Sequence, residues 1–263
     1  MLSALLWLSA VTIADDSCPS IDTYAERLTQ LEQRIEYRYL DNGLKVFLLP
    51  QSDRQTVAIA TEFSVGSAHE QKGQTGYAHL FEHMLFKGSE HAPGNAYQQQ
   101  MKMLGGQFNA ETYFDYTRYY TQFPAVATER VLWMEADRFQ RPSMNDETVN
   151  NQKAAVLEET AMRLDNVPYF RVAMEALLSN FGDTAYGHSI LGSKEDINSA
   201  TPESLQHFFA EHYRPNRARL ALVGNISTDS AKLWINKEFS AWQPAASTIE
   251  KPLAIHLTPR VSH

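Results

Sequence analysis

The 263-residue sequence contains a single cysteine, Cys18, which excludes an internal disulfide framework. It has no excess of basic residues: 23 Lys and Arg stand against 31 Asp and Glu, for a formal net charge of −8. That balance argues against a nucleic-acid partner, which requires a basic face, and does not indicate binding to an anionic membrane surface. We find no internal repeat and no low-complexity stretch. With 43% hydrophobic residues, the chain is long enough to bury a core as one or two domains.

The N-terminal segment, residues 1–14, is uncharged and mostly apolar, and the small residues Thr12 and Ala14 are followed by two aspartates. This pattern is typical of a secretory signal peptide, although no Lys or Arg precedes the apolar run. The run is shorter than the roughly 20 residues that a membrane-spanning helix needs, so we expect no membrane span in the mature chain. The segment predicts export, which in a bacterium means a periplasmic or secreted protein. The alternative is a buried N-terminal helix.

Hydrophobic periodicity predicts both helices and strands after the signal segment. Residues 15–34 are interpreted as a lead-in helix. Strands are predicted at 35–40, 44–49, 56–65, 107–112, 117–123 and 218–223. The first two are expected to form a hairpin around the turn Asp41-Asn42-Gly43, and 56–65 is expected to pair alongside it. Helices are predicted at 77–87, 95–104, 146–165 and 168–180, and from residues 124, 202 and 228 onward. Because strands and helices do not alternate strictly, the expected fold class is α+β.

The most informative string is His79-Leu-Phe-Glu82-His83, in the predicted helix 77–87. Positions i and i+4 lie on one face of a helix, so His79 and His83 can offer two imidazole nitrogens to one metal ion. Glu82 precedes the second histidine, and its carboxylate leans toward the same place. Two histidines and a glutamate in this order are the inverse of the commoner His-Glu-x-x-His zinc motif. They predict zinc-assisted hydrolysis, with two metal ligands and a general base for water.

A third ligand must come from elsewhere, because catalytic zinc usually takes three protein ligands and leaves one position for water. The predicted helix 146–165 offers Glu158 and Glu159. Both fit the ordinary role of solvated helix charges equally well, and spacing does not choose between them. A site of two histidines and one glutamate would also accept cobalt or manganese.

The sequence around this motif resembles the pitrilysin-type zinc peptidases, the family that includes insulin-degrading enzyme and the mitochondrial processing peptidase. Four stretches carry the resemblance, in order: 76–88 (GYAHLFEHMLFKG), 108–120 (FNAETYFDYTRYY), 186–192 (YGHSILG) and 213–225 (YRPNRARLALVGN). The resemblance covers residues 35–240, which we interpret as the peptidase domain. It implies a mostly antiparallel sheet packed against helices, as in the N-terminal domain of the family.

The resemblance also implies roles for individual residues. The family's third ligand is the glutamate of a Val-x-x-Glu pattern, which falls here on Glu159, with Glu158 as the fallback. Two turns earlier, where many members carry an acidic residue, this chain has Gln152, which can orient a ligand by a hydrogen bond but adds no charge. Asn109 and Ala110 are expected to hold the backbone of a substrate peptide added at the sheet edge. For Asn109 the alternative is a strand-end side chain bonded to its own neighbours.

The expected function is therefore a zinc-dependent endopeptidase, with one zinc ion per chain and short or unfolded peptides as substrates. Family members have two homologous halves that enclose a chamber, and this sequence contains no second copy of the motifs. We expect a second half or a separate subunit to close the chamber, with residues 241–263 as a linker toward it. Two alternatives remain open: a non-catalytic partner subunit or scaffold of the same fold, and a zinc hydrolase acting on a different class of substrate.

Overall fold

A computed structural model describes residues 21–166 and 169–246 of the chain. The predicted signal peptide, the start of the lead-in segment and most of the predicted linker therefore lie outside the described residues. The first described helix, α1, spans Ile21–Arg34 and belongs to a unit of its own that reaches Ile35. The second unit begins at Glu36 and carries all of the features below. Among the described helices, none combines the length and the apolar character that crossing a bilayer demands.

The second unit contains six described strands and eight described helices. The strands are β1 (Glu36–Tyr39), β2 (Lys45–Pro50), β3 (Thr56–Phe63), β4 (Gln107–Thr112), β5 (Thr117–Pro124) and β6 (Ala218–Gly224). The helices are α2 (Tyr77–Met84), α3 (Ala96–Met103), α4 (Thr128–Gln140), α5 (Asp146–Asn166), α6 (Phe170–Ser179), α7 (Lys194–Ser199), α8 (Pro202–His212) and α9 (Thr228–Phe239). Short 3-10 turns at 67–69, 125–127 and 215–217 complete the unit. The turn at 125–127 delays the helix expected directly after Pro124, and α7 was not predicted.

The six strands form one sheet in the order β1-β2-β6-β3-β5-β4. Every described pair is antiparallel except β2 with β6, which is parallel. The expected α+β class with a mostly antiparallel sheet is confirmed. The expectation that residues 56–65 pair alongside the preceding hairpin is wrong, because β6 lies between β2 and β3. Among the described strands, β4 is at the edge of the sheet and pairs with β5 alone.

One face of the sheet carries the hydrophobic core, because alternate side chains of each strand point to it. In β3, Val57, Ile59 and Phe63 are fully buried, whereas Ala58 between the first two is exposed. Phe63 contacts Phe139 of α4, with ring centroids 5.2 Å apart. Helices therefore cover this face of the sheet, and α2 packs on it directly beside β4 and β5.

A buried ion pair lies inside this core at the end of α4. The Arg138 guanidinium bonds Glu135 at 2.7 Å, and both side chains are fully enclosed. Four aromatic rings surround the Arg138 guanidinium within 4.1–4.9 Å of their centroids. Glu135 also accepts a hydrogen bond from the Tyr97 hydroxyl at 2.7 Å. The pair joins α3 and α4 to the sheet through charge as well as apolar contact.

Candidate metal centre

Helix α2 carries the two histidines of the motif on a short, tightly packed element. It starts after Gly76, whose φ of +87° lies in the left-handed region that favours glycine. Its apolar side chains are buried, and Phe81 stacks on Phe208 of α8 at 5.8 Å. This packing fixes the rotation of the helix about its axis, and His79 and His83 consequently lie one turn apart, with ring centroids separated by 5.0 Å.

Helix α5 brings a carboxylate to these two rings. Glu159 Oε2 lies 3.0 Å from His83 Nε2 and 3.7 Å from His79 Nε2. One ligand atom from each residue lies within 4.8 Å of the other two. Zinc bonds to nitrogen and oxygen are about 2.0–2.2 Å long, so each of the two distances from Glu159 to a histidine nitrogen is short enough for both atoms to bind one ion. Across the described residues, this is the one group of three or more His, Cys, Asp or Glu side chains so arranged.

The donors of this group suit a zinc ion in their charge as well as their position. Burial, reinforced by the charges of His83 and Arg163, lowers the pKa of His79 to about 3. Burial also lowers the pKa of His83, although the Glu159 carboxylate opposes the effect. Both imidazoles are therefore neutral at pH 7, as a metal ligand must be. Two neutral imidazoles and one carboxylate form the donor set of several catalytic zinc sites.

Glu82 lies in the same cleft as His79, beside the group of donors. Its Oε2 accepts a hydrogen bond of 2.6 Å from the Thr112 hydroxyl of β4. Burial raises the pKa of Glu82, while the bond from Thr112 opposes the rise. The cleft has a volume of about 330 Å³ and is lined by α2, β4, α5, α6 and residues 189–191. A carboxylate of raised proton affinity thus faces the space in which a substrate would lie.

Arg163 is a charged neighbour of the centre that sequence reasoning missed. It follows Glu159 by one helical turn, and its Nη2 lies 2.6 Å from Glu159 Oε1. The other oxygen, Oε2, is thereby left to face the histidines. The i, i+4 spacing of the two residues was visible in the sequence and could have indicated the pair.

The other residues predicted for the site differ in their position relative to the cleft. Ala110 lines the cleft, and Gln152 is buried in α5, where its Oε1 accepts no bond from a described group. Asn109 is exposed, and its Oδ1 accepts a bond from the Ala110 N–H at 2.9 Å, the local bonding that was its alternative. Glu158 is exposed and does not belong to the group of donors.

His188, which had no assigned role, contacts a glutamate that the sequence did not single out. Its Nε2 lies 3.1 Å from Glu70 Oε2. Glu70 in turn accepts hydrogen bonds from the N–H groups at the start of α2. No spacing pattern joins positions 70 and 188, so only the fold reveals the contact.

Comparison with protein families identifies the relatives of this arrangement. The family described as insulinase, peptidase family M16, matches residues 45–194, which is more than half of the chain. The chain belongs to the M16 peptidase family. The domain described as the M16 inactive domain matches residues 199–262. The resemblance to the family of insulin-degrading enzyme and mitochondrial processing peptidase is thus confirmed.

Individual M16 relatives match at moderate identity. The uncharacterized zinc protease YmxG of Bacillus subtilis is 30% identical over 213 residues, covering 80% of this chain and 52% of that protein. Subunit 1 of the mitochondrial cytochrome b-c1 complex of Bos taurus is 26% identical, covering 83% of this chain and 45% of that protein. The crystal structure of a protease from Helicobacter pylori matches with a TM-score of 0.76 at 25% identity, and the match covers 83% of this chain and 53% of that one. The chain spans about half the length of these relatives.

Proposed function

We propose that this protein is a zinc-dependent endopeptidase that hydrolyses short or unfolded peptides. The observation that carries the proposal is the approach of His79, His83 and Glu159 to one another at the cleft that also holds Glu82. Its M16 relatives include proteins named as zinc proteases, which supports peptide hydrolysis as the reaction.

In the proposed reaction, one zinc ion is held by His79, His83 and Glu159. When bound, zinc supplies the positive charge that acidifies water and polarises a peptide carbonyl. Glu82 takes a proton from the attacking water on its carboxylate and passes it to the leaving amine. Thr112 holds the Glu82 carboxylate toward the cleft through its hydrogen bond.

The proposed substrate class follows from the edge strand. One side of β4 has no partner among the described strands, and Ala110 and Thr112 of β4 line the cleft. An extended peptide can add to such an edge through backbone hydrogen bonds. A short or unfolded peptide has its backbone groups available for these bonds, whereas most of those in a folded protein are already paired. We therefore place the substrate beside residues 109–112, where Asn109 and Ala110 contribute backbone contacts.

We further propose that a second homologous half or subunit closes the cleft. The chain spans about half the length of its relatives, and the bovine relative is named as a subunit of a larger complex. Enclosure would position the peptide and exclude water, which contributes much of an enzyme's rate. Export to the periplasm or the exterior remains a prediction from residues 1–14.

Zinc content and turnover of four proteins test the proposal: the wild type, Glu82→Gln, Glu159→Gln and the matched control Glu158→Gln. We expect about one zinc per chain in the wild type and the Glu158 control, and much less in Glu159→Gln. Glu82→Gln should retain zinc and lose about 10²–10⁴-fold in the cleavage rate of a quenched fluorescent peptide. Absence of zinc from the reconstituted wild type would refute the proposal. Unchanged turnover in Glu82→Gln would refute the role of that residue, and a zinc-loaded wild type without turnover would favour a non-catalytic subunit.

A further inference from the structure

The start of helix α2 is capped by a carboxylate from outside the helix. The Glu70 side chain is fully buried; its Oε2 accepts the Gly76 N–H and its Oε1 accepts the Ala78 N–H, each at 2.8 Å. The first N–H groups of a helix have no partner within it, and the Gly76 cap position has no side chain to supply one. A carboxylate at this end also interacts favourably with the helix dipole. Glu70 therefore anchors the first turn of the helix that carries the proposed ligands.

The same carboxylate binds the opposite wall of the cleft. His188 Nε2 lies 3.1 Å from Glu70 Oε2, the oxygen that also accepts the Gly76 N–H. The next three residues, 189–191, line the cleft. The hydrogen bond with Glu70 raises the pKa of His188, and the same bond opposes the rise that burial causes in the pKa of Glu70. One side-chain pair thus connects α2 to the segment that faces it.

The backbones of these two segments also touch. Gly192 has a φ of +74°, and a Cβ atom built on Gly76 would lie 2.9 Å from the Gly192 Cα. A second tie comes from α7, where Asp196 Oδ2 accepts the Thr75 N–H at 3.0 Å and the Thr75 hydroxyl at 2.6 Å. The contact between the start of α2 and residues 188–192 is therefore close-packed, and a change on one side must move the other.

We propose that Glu70 and His188 are positioning residues that set the distance between α2 and the cleft wall at 189–191. Ala78, which donates to Glu70, directly precedes His79, and Glu82 lies one turn further along. A shift of the first turn is transmitted to both because α2 has only eight residues. The catalytic consequence rests on the proposed peptidase function. The structural consequence is that the start of α2 is protected and His79 is correctly placed, and it does not depend on the peptidase function.

The experiment compares His188→Ala with His188→Gln, which keeps a hydrogen-bond donor near the position of Nε2 without its charge. His207→Ala is the matched control, since His207 is an exposed histidine of α8. Three kinds of measurement are made: hydrogen exchange at the Gly76 and Ala78 amides, zinc affinity, and the kinetics (kcat and KM) of cleavage of a fluorescent peptide. His188 is 25% exposed, so its truncation should leave the fold intact. Amides of β3 report any global loss of stability.

In His188→Ala we expect exchange at Gly76 and Ala78 to accelerate about tenfold or more, with β3 unchanged. Zinc affinity and kcat should each fall about tenfold, and His188→Gln should recover most of each loss. Unchanged exchange at both amides would overturn the proposal whatever the activity. Faster exchange with unaltered zinc affinity and kcat would overturn the positioning role. If the wild type has no turnover, the peptidase function fails, and exchange and zinc affinity still decide the inference.

Discussion

Acidification should destabilise the metal-free protein through two buried histidines. His79 is 3% exposed and His212 is 4% exposed. Burial lowers the pKa of each to about 3, with neighbouring positive charges adding to the effect. In the unfolded chain both titrate near the ordinary value of about 6.5. Protons therefore bind preferentially to the unfolded state, and the free energy of unfolding falls as the pH drops through 6.5.

The expected loss follows from these pKa values. Between pH 7 and pH 5, each histidine removes about 2 kcal/mol from the free energy of unfolding, or about 4 kcal/mol together. A typical domain has only about 5–15 kcal/mol in total, so the loss is a large share of the stability. Bound zinc leaves both contributions in place, because His79 is unprotonated in the folded state with or without the metal and takes its proton only when the chain unfolds. His212 lies outside the proposed ligands and behaves in the same way.

Urea unfolding at several pH values, with zinc or with a chelator, measures these contributions. In the chelated protein, His79→Gln and His212→Gln should each reduce the loss between pH 7 and pH 5 by about 2 kcal/mol. Saturating zinc should raise the free energy of unfolding and leave both contributions in place, because neither histidine is protonated in the folded protein in this pH range. Carboxylates of raised pKa, such as Glu82, act in the opposite direction, which is why each variant is compared with the wild type at both pH values. Equal pH dependence in wild type and variants would refute the reasoning.

Four further substitutions, two of them combined in one variant, test other contacts. Arg163→Gln should strengthen zinc binding about threefold at low salt and hardly at all in about 1 M salt, because it removes an exposed cation that pairs with Glu159 and repels a positive ion. An equal change at both salt concentrations, in competition with a chelating dye, would contradict this. Gly192→Ala should lower the free energy of urea unfolding by more than about 1 kcal/mol, because φ is +74° and the new Cβ overlaps a backbone carbonyl; an unchanged midpoint would contradict the strain. Arg138→Met should lower the free energy of urea unfolding by about 3–5 kcal/mol, because it leaves the buried Glu135 carboxylate without its ion-pair partner. Adding Glu135→Leu should restore much of that stability. A double variant no more stable than Arg138→Met would exclude the unpaired carboxylate as the cause.

Local sequence patterns predicted most of the helices and strands but not the order of the sheet. The Asp41-Asn42-Gly43 turn and the alternation around it were enough to predict the β1–β2 hairpin. Alternation also located β3 and β6 correctly. It contains no information about which strand pairs with which, and β6 joins β2 across about 170 residues of chain. The expected pairing of β3 with the hairpin was wrong because sequence neighbours were assumed to be sheet neighbours.

In the candidate site, too, the sequence predicted local contacts but not contacts between distant residues. His79, Glu82 and His83 lie on one short helix, so the i, i+4 rule was sufficient to bring them together. Spacing alone left Glu158 and Glu159 equivalent, and only the family resemblance selected Glu159, the residue that the fold brings to the histidines. Contacts such as that of Glu70 with His188 arise from the path of the chain in three dimensions. No periodic pattern encodes them.

The central position of β6 determines when the protein can fold during synthesis. Helix α2 and Glu159 leave the ribosome well before residues 218–224, which form the strand that joins β2 to β3. Until then the β1–β2 hairpin and the β3–β5–β4 strands form separate pieces, each with an open edge that can pair with another chain. Closure across such a sequence separation is slow. We therefore expect a nascent chain that contains the whole metal motif to remain protease-sensitive and to need protection from aggregation until β6 has emerged.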